Sequence, residues 1–254
     1  EYSVMDWQAM AALSDSFPET SGCLAARAIA LYGTGTGDPA GVSMDAVAAD
    51  STDHRAWTAL ALTTMSRDSL YMDSVFSRAF ELVPEDDPVL LEIKGYWLLT
   101  TGRFHEAGEM ASMAVAADSS FGPAWLTLSM ALLDSGAVSE ALDAAGRGVE
   151  RFPGCIPVLH QYAEVLREAG RPGDAADAYR QVISADSTRI SAWADLAVLL
   201  DETGPPGPAV KAFRGLLGIA PDYAWAWGEL AALEYDLGRA DLADSFFARA
   251  VELN

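Results

Sequence analysis

The stretch Ala185-Asp186-Ser187-Thr188-Arg189-Ile190-Ser191-Ala192-Trp193 decides the fold, because the chain repeats it. Ala117-Asp118-Ser119-Ser120, followed by Ala124-Trp125, lies 68 residues earlier, and Ala49-Asp50-Ser51-Thr52, followed by Ala56-Trp57, a further 68 before that. Halfway between these copies Leu91, Leu159 and Trp227 take the role of the tryptophans, so the unit is 34 residues, amplified in pairs. Helix-end positions alternate with the same double period: Ser51, Ser119 and Ser187 against Pro84, Pro153 and Pro221.

Within one unit the apolar spacing is helical twice over. Trp193, Leu196, Ala197 and Leu200 fall at i, i+3, i+4 and i+7, one face of a first helix. Gly204 closes it. Ala209, Phe213 and Leu216 mark a second helix, and Pro221 lies beyond its end, where a missing N–H does no harm. Neither helix can bury its apolar stripe alone, so neighbouring units must stack.

The pattern Trp-x2-Leu-Gly-x2-Tyr…Ala-x3-Phe…Pro at this period resembles the tetratricopeptide-repeat family. The chain carries the small residue as Ala107, Ala141, Ala175, Ala209 and Ala243, the aromatic as Tyr179, Phe213 and Phe247, and the turn glycine as Gly102, Gly136, Gly170, Gly204 and Gly238. The resemblance implies an all-α, right-handed solenoid of antiparallel helix pairs. Seven units start at Thr20, His54, Pro88, Gly122, Ile156, Ile190 and Ala224, and residues 1–19 read as the second helix of an incomplete preceding unit, with Trp7, Met10 and Leu13 inward and Pro18 closing it. Four units depart from the pattern. The first has Cys23 at the wedge position and a glycine-rich turn, Gly33-Thr34-Gly35-Thr36-Gly37; the second has Asp68 for the turn glycine; the third has Lys94 at an apolar position; the sixth has the stiff turn Gly204-Pro205-Pro206-Gly207-Pro208.

Composition narrows the function. Net charge is −21 with only two lysines, Lys94 and Lys211, which disfavours a polyanionic partner or an anionic membrane surface. No apolar run approaches the roughly 20 residues that span a bilayer. Cys23 and Cys155 read as isolated small apolar side chains rather than a disulfide or a metal knuckle. His54, His105 and His160 lie in different units, and no two share a metal-ligand spacing. The Gly33–Gly37 stretch lacks the strand and lysine of a phosphate loop, and Glu85-Asp86-Asp87 lacks the alternating ligands of an EF-hand. Neither a metal, a cofactor nor catalysis is expected. Glu1 in place of a methionine reads as processing or trimming, compatible with an exported, periplasmic protein or a cytoplasmic one.

The resemblance also implies a concave groove lined by first helices. Its positions here are Leu62, Met65, Tyr96, Leu99, Met130 and Leu133, an apolar half, and His160, Glu164, Arg167, Trp225 and Tyr235, an acidic and aromatic half. Tyr96 and Met130 hold the same place in adjacent units, and are expected to approach each other. Members that hold a chaperone's terminal carboxylate use groove lysines and asparagines; this chain has one asparagine, Asn254, and no groove lysine. The expected role is a bacterial-type scaffold or adaptor that binds a protein or peptide. The alternatives are a regulatory region of a larger protein, an enzyme among the options, and a module whose uncapped ends self-associate.

Overall fold

The computed structural model describes residues 20–254, and every regular element among them is a helix. The reading of residues 1–19 lies outside the described residues. In chain order the helices are α1 Ser21–Thr34, α2 Pro39–Ala49, α3 His54–Thr63, α4 Ser69–Phe80, α5 Pro88–Thr100, α6 Phe104–Ala117, α7 Gly122–Asp134, α8 Val138–Arg151, α9 Ile156–Glu168, α10 Pro172–Ala185, α11 Ile190–Thr203, α12 Pro206–Ile219, α13 Ala224–Asp236 and α14 Ala240–Glu252. Odd-numbered helices are the first of each pair. No helix among the described residues is long and apolar enough to cross a membrane.

The boundaries follow from capping chemistry. Asp53, Asp68 and Asp87 each accept a backbone N–H from the first turn of α3, α4 and α5, at 3.0, 3.0 and 2.8 Å. Prolines open α2, α5, α10 and α12 in the first turn, where an N–H has no partner to lose. Gly35, Gly102, Gly136, Gly170 and Gly238 take positive φ of 65 to 84°, the left-handed geometry that ends a helix with least strain in glycine.

Each of these glycines stands fourteen positions after the first residue of its helix. That corrects the first unit. Its first helix starts at Ser21, one residue later than the repeat register, so Leu24 and not Cys23 takes the wedge position; Leu24 packs on a core of Ala25, Ala28, Ala46, Ala56 and Ala59. Gly204 is also corrected. Its φ of −148° and ψ of −171° are extended backbone, because Pro205 and Pro206 follow and forbid a helical residue before them. Lys94 is accommodated by lying over the Phe80 ring, 5.5 Å from its centroid.

The repeated Ala-Asp-Ser motif acquires a physical meaning. Asp50, Asp118 and Asp186 each accept both the backbone N–H and the hydroxyl two residues on, at 2.6 to 3.1 Å. These hydrogen bonds hold all three carboxyls below the usual range. The turn so formed aims the next carbonyl at the following tryptophan. The indoles of Trp57, Trp125 and Trp193 donate to the carbonyls of Ser51, Ser119 and Ser187, each at 3.0 Å, and Trp227 donates to Pro221 at 2.8 Å.

The chain forms two compact units, residues 1–127 and 128–254. In the first, besides the alanine core, Phe76 packs on buried Trp97 with centroids 5.5 Å apart, and Leu91, Ala114 and Ala124 form a further cluster. In the second, α9 to α13 bury Tyr179, Leu196, Leu199, Phe213, Leu216 and Leu230 in one core. There Gly215 lets α12 lie against Trp193: a Cβ at that position would stand 2.2 Å from the indole ring. Glu234 is fully buried at a position that is leucine in the four preceding repeats, and Arg214 and Arg239 clamp it at 2.7 and 2.6 Å.

Candidate functional site

In the second unit, His160, Glu164 and Arg167 follow one another at i, i+4 and i+7 along α9, so one helix face presents all three. Two neighbouring helices reach that face. Asp195 of α11 sets Oδ2 3.0 Å from His160 Nε2, and the Tyr179 hydroxyl of α10 donates to Glu164 Oε1 at 2.6 Å. The imidazole stands edge-on to the Tyr179 ring, centroids 5.6 Å apart. Burial, and then the Glu164 carboxylate, push the Tyr179 phenol far above its ordinary range, so it is a hydrogen-bond donor at any physiological pH. Arg167 reaches Glu164 at 3.4 Å and Glu168 at 3.2 Å. Burial opposes its charge, but Glu164 and the acidic groups around it outweigh burial and raise its pKa.

The remaining second-unit positions differ in exposure. Met130 is half-buried, and Leu133 packs on Ala141, Ala145 and Val165. Trp225, 39% exposed, stands edge-on to Phe213 at 5.7 Å and beside Tyr223 at 5.5 Å. Tyr235 is 64% exposed. Glu168, Asp201, Glu202 and Asp236 are exposed at the ends of α9, α11 and α13.

In the first unit the sequence-derived positions differ in exposure and in the element that carries them. Leu62 is half-buried on α3, whereas Met65 lies in the turn after α3 and not on the helix. Leu99 is only 7% exposed and belongs to the core. Tyr96 is exposed, and its neighbour is Tyr32 of the first repeat, whose phenol is pushed up by burial and by Tyr96. Met130, expected beside Tyr96, belongs to the other unit.

Sequence reasoning missed Asp195 and Tyr179. The signal was present as an offset of one unit plus one residue. Glu92 accepts from the Thr127 hydroxyl at 2.9 Å, a pair 35 positions apart; His160 and Asp195, also 35 apart, are the same two repeat positions 68 residues further on. The spacing of the histidines carries no sign of the two carboxylates, Glu164 and Asp195, that stand around His160.

No protein-family model and no curated protein sequence matches this chain. Solved structures do. MamA superposes with a TM-score of 0.60 at 19% identity, over 67% of this chain and 93% of MamA. MamA from Desulfovibrio magneticus RS-1, residues 41 to the end, gives 0.60 at 15%, over 67% and 97%. YrrB, a TPR protein with an unusual peptide-binding site, gives 0.57 at 16% identity, over 70% of this chain and 92% of YrrB. The chain has the tetratricopeptide-repeat fold. At these identities the likeness speaks for the helix-pair architecture alone, and the tetratricopeptide helices α9 to α13 have to be read through their own side chains.

Proposed function

We propose that the chain is a non-catalytic scaffold that binds a peptide segment of another protein, and that the first helices of the second unit take a cationic, extended segment. The carrying observation is the row of exposed carboxylates Glu168, Asp201, Glu202 and Asp236 on α9, α11 and α13, interleaved with exposed Trp225 and Tyr235. Carboxylates attract lysine and arginine and steer their approach; aromatic faces accept the same cations and their apolar stems. A peptide-binding neighbour of the same fold supports the reading. The test is a peptide array of unbiased composition probed with the whole chain. Captured peptides should be rich in lysine, arginine and apolar residues. The double variant Glu202→Lys, Asp236→Lys should weaken capture about 10-fold or more, about 1.4 kcal/mol, with an unchanged thermal melt. Preference for acidic peptides, or capture indifferent to the double variant, would overturn the reading.

A second reading rests on α14. Phe247 is 43% and Val251 77% exposed, whereas Phe213, one repeat earlier, is 1% exposed. An apolar face of this kind supports stacking on a second copy of the chain. Sedimentation across a concentration series should show growing mass that Phe247→Glu abolishes; a single mass at all concentrations would dismiss it.

A further inference from the structure

We propose that His160, Glu164 and Asp195 form a binding site for one divalent transition-metal ion of the zinc class. The donor atoms of the three side chains all lie within 4.8 Å of one another. Donors about 2.0–2.2 Å from a tetrahedral zinc are themselves roughly 3.3–3.5 Å apart, so rotation about side-chain bonds closes the set without moving backbone. His160 Nε2 and Asp195 Oδ2, now at the hydrogen-bond distance of 3.0 Å, need to part only slightly to take the ion between them.

The scaffold suits the task. His160 and Glu164 are one helical turn apart on α9, the spacing that lets two side chains of a rigid helix share an ion. Asp195 enters from α11, so the ion would tie two repeats together. One imidazole and two carboxylates favour a borderline transition ion over calcium or magnesium, which call for oxygen donors alone. The ion takes the place of the proton between imidazole and carboxylate. Solvent completes its shell, because all three residues are only partly buried.

The surroundings bear on affinity in opposite directions. The buried Tyr179 hydroxyl holds Glu164 Oε1, an orienting contact of the kind that metal sites use outside the ligand shell, and the ion would share or take Oε2, which Arg167 reaches at 3.4 Å. Arg167 acts against the ion by its charge, and its alternative partner Glu168, at 3.2 Å, gives it a place to go.

The probe is Zn2+ alone, titrated calorimetrically into the chelator-stripped chain. The expected result is saturable binding of one ion per chain. His160→Gln and the isosteric Asp195→Asn should each weaken it at least about 10-fold, and Tyr179→Phe by about 10-fold through lost orientation of Glu164. Arg167→Gln should tighten it, which a merely structural cluster does not predict. His54→Gln and His105→Gln should change nothing. No saturable binding, or binding equally reduced by His54→Gln or untouched by Asp195→Asn, overturns the proposal. Peptide capture by the second unit is read separately and does not depend on the ion.

Discussion

Ser43 and Tyr179 occupy the same place in their repeats, seven residues before the capping aspartates Asp50 and Asp186, and they could hardly differ more. Ser43 is fully buried and bonds the Ala40 carbonyl at 2.9 Å and the Thr63 hydroxyl at 2.8 Å. The buried core of its repeat is made of alanines, Ala25, Ala28, Ala46, Ala56 and Ala59. Tyr179 is equally buried but fills its space with a ring, among Leu196, Leu199 and Phe213. The helix pair forms in both cases. Helix phase, caps and turns therefore set the architecture, while side-chain volume sets how strongly each pair is held, because burial scales with apolar area. In a solenoid that strength stays local, since stability is a sum of repeat and neighbour terms.

Hydrogen exchange should separate the two regions most widely: amides of α1 and α2 should exchange first, those of α10 to α12 last, and slow exchange before about residue 75 would break the comparison. Phe213→Ala should destabilise the second unit by roughly 3–5 kcal/mol in denaturant titration, as a large buried ring is lost. Gly215→Ala comes next, at about 1–3 kcal/mol, because the added methyl must displace the Trp193 ring. Glu92 gives a pH signature. Burial raises its folded pKa above the ordinary 4.5, outweighing the Thr127 hydrogen bond. Its favourable contribution is therefore present below the unfolded pKa and lost as pH rises through the folded value. Glu92→Gln should raise the melting temperature at pH 7, and the gain should vanish once the pH falls below about 4.5. Smallest is Ser43→Ala, about 1 kcal/mol for the hydrogen bond to Thr63; a loss like that of Phe213→Ala would show the alanine core to be as strongly held as the aromatic one.

Period, helix pairing and most turns were legible in the sequence, because tryptophan, glycine and proline recur wherever backbone geometry repeats. The misreadings fall where local chemistry overrides the period. Ser21 starts its helix one residue late and Gly204 is held extended by the prolines after it. Met65 falls outside its helix because α3 stops at Thr63 and the chain runs directly to the Asp68 cap. The site was legible by position but not by partner: His160, Glu164 and Arg167 were in the register, whereas Asp195 and Tyr179 reach them from other helices, and one helix's periodicity does not encode such cross-helix pairs.

The indole hydrogen bonds also grade the joints mechanically. Trp57, Trp125, Trp193 and Trp227 each pin the first helix of a repeat to the turn that leads into it. The joints ahead of Leu91 and Leu159 have no indole to do so. Under tension the chain would behave as a folding rule with stiff and slack hinges. A force spectrometer pulling its ends should see the slack hinges yield first and release the repeats in pieces of two, two and three.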